Sequence, residues 1–254
     1  MWKTDLTPFV ARYRRDLTSA EFLKAVRALS ARYVERRAHL ADRSPLDSAG
    51  KRAAFAAFYA PLHFLTTCEA VRALGAATTP LDRVIDLGCG TGAASAAWAL
   101  EFPRAPELVG VDSSAWAAGE ARWTWRTLGL SGRSRRGDLV QAAVRAVRSS
   151  PPGRTALLLA WSVNELNRDA RHRLLTTLST DEARAVSVLI LEPLARRVTP
   201  WWDEWVHALR SPVLRADEWK FDVPLPPALA EIDRAAGFRR AALGARTLWR
   251  PARL

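Results

Sequence analysis

The stretch Val84-Ile85-Asp86-Leu87-Gly88-Cys89-Gly90-Thr91-Gly92 constrains this chain more than any other. An apolar run leads into glycine at three alternate positions, and an alanine-rich helical pattern follows. Glycine there lets the backbone turn sharply and approach a ligand, and strand–turn–helix is the context such a loop requires. The surrounding chain repeats the alternation. Strands are predicted at 83–87, 107–111, 133–137, 155–161 and 186–192, with helices near 92–101, 114–128, 139–148 and 167–179. Short apolar runs alternating with longer helical ones specify a parallel sheet with helices on both faces. The end of the chain, Phe238 to Pro251, reads as two further strands around Gly244-Ala245, an antiparallel hairpin.

Residues 1–80 carry a different pattern and form a predicted helical N-terminal cap. Thr18 stands three residues before Glu21, the spacing of a capping box, and Phe22, Val26, Leu29 and Tyr33 then share one helix face. A second helical stretch runs from about Arg52 and resumes beyond Pro61 through Leu65, Val71 and Leu74 to Gly75. Pro61 should break or kink it, and Gly75 suits the left-handed position after a helix end. Residues 81–254 form the second expected domain. It carries a Trp- and Pro-rich insert at about 194–225, then a helix near 227–236 closed by Gly237.

Composition narrows the setting. The 254 residues are long enough to bury a core without disulfides or a structural metal, and 49% hydrophobic against 25% charged residues excludes a disordered chain. No apolar run approaches the ~20 residues of a membrane span, and no secretory h-region follows Met1. Cys68 and Cys89 are too few for a disulfide scaffold or a thiolate metal site, so no metal and a cytoplasmic location are expected. Arginine outnumbers lysine so heavily (Lys3, Lys24, Lys51 and Lys220 are the only lysines) that a GC-rich genome is implied. Codon usage does not explain a net charge of +12, which raises the odds of a polyanionic partner.

The glycine loop fits two kinds of ligand. Gly88, Gly90 and Ala93 satisfy the dinucleotide pattern, and Asp112 lies 24 residues after Gly88, where a ribose-binding acid belongs. Three features point away from a dinucleotide. Asp86 sits inside the strand, where it repels a diphosphate but not a cationic sulfonium amino acid. About 80 residues of helix precede the first strand, and the sheet ends in a hairpin rather than a second nucleotide-binding half.

At this point the chain resembles the class I S-adenosylmethionine-dependent methyltransferases. Asp86 with Gly88, Gly90 and Gly92 matches their first motif, with Cys89 and Thr91 inside it. Asp112, followed by Ser113, matches the acid that holds the ribose hydroxyls. Asp138, followed by Leu139, matches the acid that meets the adenine amino group. Trp161 and Asn164, in Leu159-Ala160-Trp161-Ser162-Val163-Asn164-Glu165-Leu166, stand where the methionine moiety lies. The resemblance covers roughly residues 81–193. It implies S-adenosylmethionine as cofactor and a Rossmann-like α/β fold: a mostly parallel seven-stranded sheet with a C-terminal antiparallel hairpin and an N-terminal helical cap.

The acceptor is approached by elimination. No Asn-Pro-Pro-Tyr follows the fourth strand, no Pro-Cys pair occurs, and the lysines are too few for a Lys-Asp-Lys-Glu set. Base-amine, cytosine-C5 and ribose-2′-O chemistries of those types are disfavoured. His39, His63, His172 and His207 remain as bases. His63, in Tyr59-Ala60-Pro61-Leu62-His63, falls where the cap should meet the cofactor mouth, and with Glu165 forms the catalytic expectation. His207 shares a helix face with Asp203 and Arg210 and reads as a solvated pair with Asp203. Tyr59, Trp201 and Trp202 are candidate substrate contacts, although Trp201, Trp202, Trp205 and Leu209 also form an amphipathic stripe of the kind that is normally buried.

A narrower resemblance, to the methyltransferase-like family of the mitochondrial-type small ribosomal subunit, rests on the helical region before the first motif, Asn164-Glu165-Leu166, Leu191-Glu192-Pro193 and Glu218-Trp219-Lys220-Phe221. The cysteine cluster of that family is missing here. Ribosomal RNA or a small-subunit component is the leading acceptor, and an aromatic small molecule the alternative. A third reading is an assembly factor that binds S-adenosylmethionine without turning it over. Half the charge surplus falls in residues 1–80, with clusters at Arg12, Arg14, Arg15, Arg36 and Arg37.

Overall fold

The computed structural model describes residues 5–14, 17–35 and 46–253; Arg15, Arg36, Arg37, His39 and the side chain of Tyr33 lie outside the described residues. Seven strands form one sheet: β1 Arg83–Leu87, β2 Glu107–Asp112, β3 Gly132–Arg136, β4 Thr155–Ala160, β5 Ser187–Glu192, β6 Arg215–Phe221 and β7 Leu243–Arg250. Their order is β3-β2-β1-β4-β5-β7-β6. The first five strands are parallel and β7 runs antiparallel to β5. The chain works outward from β1 to β3, then crosses back to start again at β4. That reversal opens a crevice at the carboxyl ends of β1 and β4, where ligands of open α/β sheets bind.

Burial follows position in the sheet. Every residue of β5 is buried, as is all of β4 but Ala160, the near-continuous apolar pattern of a strand covered on both faces. The edge strand β3, Gly132-Arg133-Ser134-Arg135-Arg136, is mostly exposed. Helices α5 (Ala93–Ala99) and α6 (Ala115–Thr127) cover one face, while α7 (Leu139–Ser149), α8 (Arg168–Leu178) and α9 (Trp202–Ala208) contribute to the core of the other. Arg250 is buried at the end of β7. Its guanidinium donates to Leu178 O and Ala183 O, both at 2.8 Å, which ties the last strand to the end of α8. Burial, with Arg184 nearby, pushes it down to about 10.

The expected fold class holds, but the start of the C-terminal strand pair moves. Gly244-Ala245 lies inside β7, and the strand beside it is β6, at 215–221 within the Trp-rich insert. Helix α10 (Pro227–Ala236) intervenes between them. Local turn chemistry at Gly244 suggested a hairpin; tertiary pairing with β5 and β6 extended the strand through it. A Cβ on Gly244 would stand 2.6 Å from Leu194 Cδ1, so a larger residue there would require the Leu194 side chain to shift.

The chain divides into two compact units, residues 1–65 with 220–243, and residues 66–219 with 244–254. In the first, α1 (Thr7–Arg14), α2 (Ser19–Glu35) and α3 (Ala49–Ala54) pack with α10 and the start of α4 (Ala60–Leu74). The capping box forms as expected: Thr18 N donates to Glu21 Oε2 at 2.9 Å and Glu21 N to Thr18 Oγ1 at 3.3 Å. Phe22, Val26 and Leu29 are fully buried, and Arg27 crosses to the carbonyls of Ala235 and Ala236 at the end of α10. Pro61 does not break its helix. Phe55–Tyr59 widen into a π-turn, so that Ala60 N donates to Phe55 O one residue further back than in an α-helix. The wide turn takes up the carbonyl that the proline ring would otherwise strike and the bond it is unable to donate. Gly75 ends α4 at φ 65°, with Ala76 N returning to Val71 O at 3.0 Å.

Candidate active site

The loop after β1 is built by its glycines. Gly88, Gly90 and Gly92 take φ of 80°, 50° and 75°. At two of them space is as demanding as conformation. A Cβ on Gly88 would stand 2.6 Å from Ser162 Cβ, and one on Gly92 2.5 Å from Trp125 Nε1. Trp125 is fully buried in α6 and donates its indole N–H to Gly92 O at 3.0 Å, fastening the loop to the helix after β2. Gly88 N and Cys89 N both donate to Val111 O, and Gly92 N closes a turn onto Cys89 O at 2.7 Å. The Cys89 thiol turns inward, where a Cβ on Gly110 would meet it at 2.8 Å, and burial pushes it up. Its amide, carbonyl and thiol are thus all spent inside the protein, so Cys89 shapes the cradle without facing it. Thr91 is buried beside it.

Three acids stand at consecutive strand ends in three states. Asp86 is buried, and its Oδ2 has no hydrogen-bond partner. Burial raises its carboxyl to about 7, with Asp112 adding to the rise while the Ser95 hydroxyl and amide oppose it. Asp112 reaches back over the loop: Oδ2 accepts from Gly90 N at 2.9 Å and Oδ1 from Ser114 N at 2.8 Å. Burial raises this carboxyl as well, with those two amides pulling against it. Asp138 is exposed and caps α7, its Oδ1 accepting from Gln141 N at 2.8 Å. Ser113 is exposed beside Asp112, and Leu139 is half-buried against the core under Gly88.

The wall opposite is the turn after β4. Trp161 adopts φ 56°, an uncommon conformation for a bulky residue, while its amide continues the ladder to Leu191 O at 2.7 Å. A short 3₁₀ turn, Val163–Glu165, follows. The residue that builds it is Glu192, fully buried at the end of β5. Oε1 accepts from Val163 N and Asn164 N, both at 3.1 Å, and Oε2 takes the Asn164 side-chain amide. Sequence reasoning marked Glu192 only as a strand-end residue. The signal was present: an acid closing the apolar run Val188–Leu191 parallels Asp86 closing β1. Ser162 Oγ is buried here without a partner, and Glu165 is half-buried on the turn.

Asp86, Gly88, Gly90, Gly92, Asp112, Asp138, Trp161 and Asn164 therefore gather at the carboxyl ends of β1 to β4. Trp201 and Trp202 are buried in the hydrophobic core with Trp205 and Leu209, ring centroids 5.7 and 4.9 Å apart from Trp201 to Trp202 and to Trp205. Arg246 covers the Trp202 ring at 4.6 Å. The expected substrate contact gives way to packing, because an amphipathic stripe next to an uncovered sheet face is worth more buried. In the first unit, the Tyr59 hydroxyl donates to Val26 O at 3.2 Å, and its ring is buried. His63 lies edge-on to Phe55, and burial followed by the Arg240 charge pushes it down to about 3. An imidazole so disposed stays neutral and is a weak base. His172 and His207 are exposed, and His207 Nδ1 meets Arg210 Nη2 at 3.3 Å in place of the expected contact with Asp203.

One observation tests the fit of a sulfonium nucleoside cofactor: an orphaned buried carboxylate oxygen on Asp86, which suits a cationic ligand group. The fold and this site define the class I methyltransferases. Residues 71–176 match the family model described as Methyltransferase small domain, and the chain is an S-adenosylmethionine-dependent methyltransferase.

Among solved structures, the mitomycin 7-O-methyltransferase MmcR is similar at TM-score 0.51 and 15% identity, over 98% of this chain and 74% of that one. The plantazolicin methyltransferase BpumL in complex with SAH is similar at TM-score 0.45 and 12% identity, over 91% and 96%. A precorrin 8w decarboxylase from Methanobacterium thermoautotrophicum is similar at TM-score 0.48 and 14% identity, over 74% and 90%. No curated protein matches the sequence. No helix among the described residues is long and apolar enough to cross a membrane.

Proposed function

We propose that S-adenosylmethionine lies across the carboxyl ends of β1 to β4 and that the acceptor is an RNA, ribosomal RNA or a small-subunit component foremost. The observation that carries the cofactor placement is the unpartnered Asp86 Oδ2 at the base of the glycine cradle. A cationic amino acid group would supply the partner it lacks, and a diphosphate would not. Asp112 keeps a second lone pair on each oxygen for the ribose hydroxyls after serving Gly90 and Ser114. Asp138 and Leu139 border the adenine, and Ser113, Trp161 and Asn164 complete the surround. The bound cofactor supplies an activated methyl on its sulfonium. The chain's task is then to hold an acceptor in line and exclude water. Glu165, on the turn that Glu192 secures, is the residue we assign to the acceptor side. Burial and the Arg240 charge keep the His63 imidazole neutral and weakly basic at neutral pH, and a nucleophile with a ready lone pair needs no base.

Calorimetry with S-adenosylmethionine is expected to show binding that Asp112→Ala weakens strongly; tight NADH binding instead would overturn the placement. The RNA reading rests on the +12 charge. Labelled donor presented with ribosomal subunits and with a metabolite extract separates it from the second reading, an aromatic small molecule. That reading is favoured by the likeness to MmcR, which spans nearly the whole of this chain. Binding without methyl incorporation anywhere would favour a non-catalytic assembly factor.

A further inference from the structure

The positive charge of the second unit is concentrated at one edge. Residues 113–148 hold seven arginines against two acids, Glu120 and Asp138, whereas the rest of 81–200 holds nine arginines against ten acids. One oxygen of Asp138 is already committed to Gln141 N. On the edge strand β3 and the adjoining α6, the side chains of Arg122, Arg126, Arg133, Arg135 and Arg136 are all exposed. The pleat distributes them. Ser134 donates its hydroxyl to Ala118 O in α6 and receives Arg122 Nη1 at 3.1 Å, so even-numbered positions face α6 and odd-numbered ones the other side. The row therefore wraps around the edge rather than lying on one face. Protecting an edge strand against pairing needs only the charges on β3 itself. Arg122 bonds the Ser134 carbonyl of β3 at 3.0 Å, but the exposed Arg126 on α6 and the exposed Arg145 and Arg148 on α7 lie off the strand and have no such task.

The row also has a direction. In the β2–β3 register Asp112 stands opposite Arg136, and Arg136 Nε donates to Ser113 O at 3.1 Å. One end of the arginine row thus reaches the rim of the cofactor cradle, and the other follows β3 away from it. Half-buried Trp116 and Trp123 are interleaved with the arginines on α6, the mixture of charge and ring that suits nucleic acid.

We infer that this β3–α6 edge docks the phosphate backbone of the RNA that carries the acceptor; the inference rests on the RNA reading above. The test uses the full chain and a fluorescein-labelled 30-nucleotide hairpin RNA, with anisotropy read from 50 to 300 mM KCl. The triple variant Arg126→Ala/Arg133→Ala/Arg135→Ala is expected to bind about tenfold or more weakly at 100 mM and to lower the log–log salt slope by about 2. The same three positions changed to lysine should stay within about threefold of the parent, because phosphate contacts are read chiefly as charge. A charge-matched control on exposed positions elsewhere, Arg104→Ala/Arg168→Ala/Arg173→Ala, should also change binding less than threefold. S-adenosylmethionine affinity should be retained in all three.

If the edge triple and the control triple lose affinity equally, the surface is wrongly placed although the RNA reading stands. If the parent chain does not bind the hairpin at low salt, the RNA reading fails and takes the inference with it. Equal sensitivity of poly-glutamate binding to the edge triple would replace RNA by an acidic polypeptide.

Discussion

Two loops face each other across the crevice, and they reach their shapes by opposite means. After β1 the backbone bends because glycine permits it: Gly88, Gly90 and Gly92 all take positive φ, and a buried acid, Asp86, keeps an oxygen without a partner. After β4 a tryptophan takes the positive φ, and the buried acid, Glu192, is saturated by Val163 N, Asn164 N and the Asn164 amide. One loop is permitted and left electrostatically open; the other is compelled and closed. A carboxylate at the end of a buried strand therefore occurs here in two conditions, one with an oxygen left unpartnered and one holding a turn in place.

The largest effect is expected where the two loops touch. Gly88→Ala must both strain the backbone and drive a Cβ into Ser162, and should cost about 4 kcal/mol in chemical denaturation and abolish cofactor binding. Adding Ser162→Gly should recover the part due to collision and leave the part due to φ; full recovery would mean that conformation is not limiting. Next, Glu192→Ala leaves two backbone amides and a side-chain amide without acceptors in a buried site and should cost about 3 kcal/mol. A loss below about 1 kcal/mol would show that the β4 turn holds itself.

A pH titration of cofactor affinity separates the two acids. Folded Asp86 titrates near 7 against 3.8 as its ordinary value, so the folded chain retains an extra proton between these values. Its contribution to stability accordingly falls as pH rises from about 4 to 7, and the carboxylate that would meet a cation is fully formed only above 7. S-adenosylmethionine affinity should weaken toward tenfold per pH unit below 7, and Asp86→Asn should weaken binding at pH 7.5 and flatten the profile. A flat profile in the parent would remove Asp86 from the cofactor's charge recognition. The smallest effect is expected for Ser162→Ala: an unpartnered buried hydroxyl is removed, so stability should hold within about 0.5 kcal/mol or rise.

The motif residues that were legible share a property: each owes its role to a local requirement. Positive φ asks for glycine at 88, 90 and 92, and the capping box at Thr18 and Glu21 closes within one turn of chain. What was misjudged depended on distant partners. Gly244 looked like a turn until β7 found neighbours on both sides. Pro61 is the local exception: it looked like a breaker, and the π-turn immediately before it absorbs the mismatch. Trp201 and Trp202 offered aromatic surface on paper, and the sheet face they cover claimed it. Glu192 lies 29 residues from Val163 and 28 from Asn164, so nothing local to the turn announces its anchor.

By itself the sequence determined the parallel sheet and the glycine loop after its first strand, because strand periodicity and the glycine requirement act over a few residues. Only the tertiary structure decided which buried acid is satisfied and which is left open, and where the surplus charge gathers. Those properties belong to groups brought together from separate strands, and burial and charge depend on what surrounds a residue rather than on what precedes it in the chain.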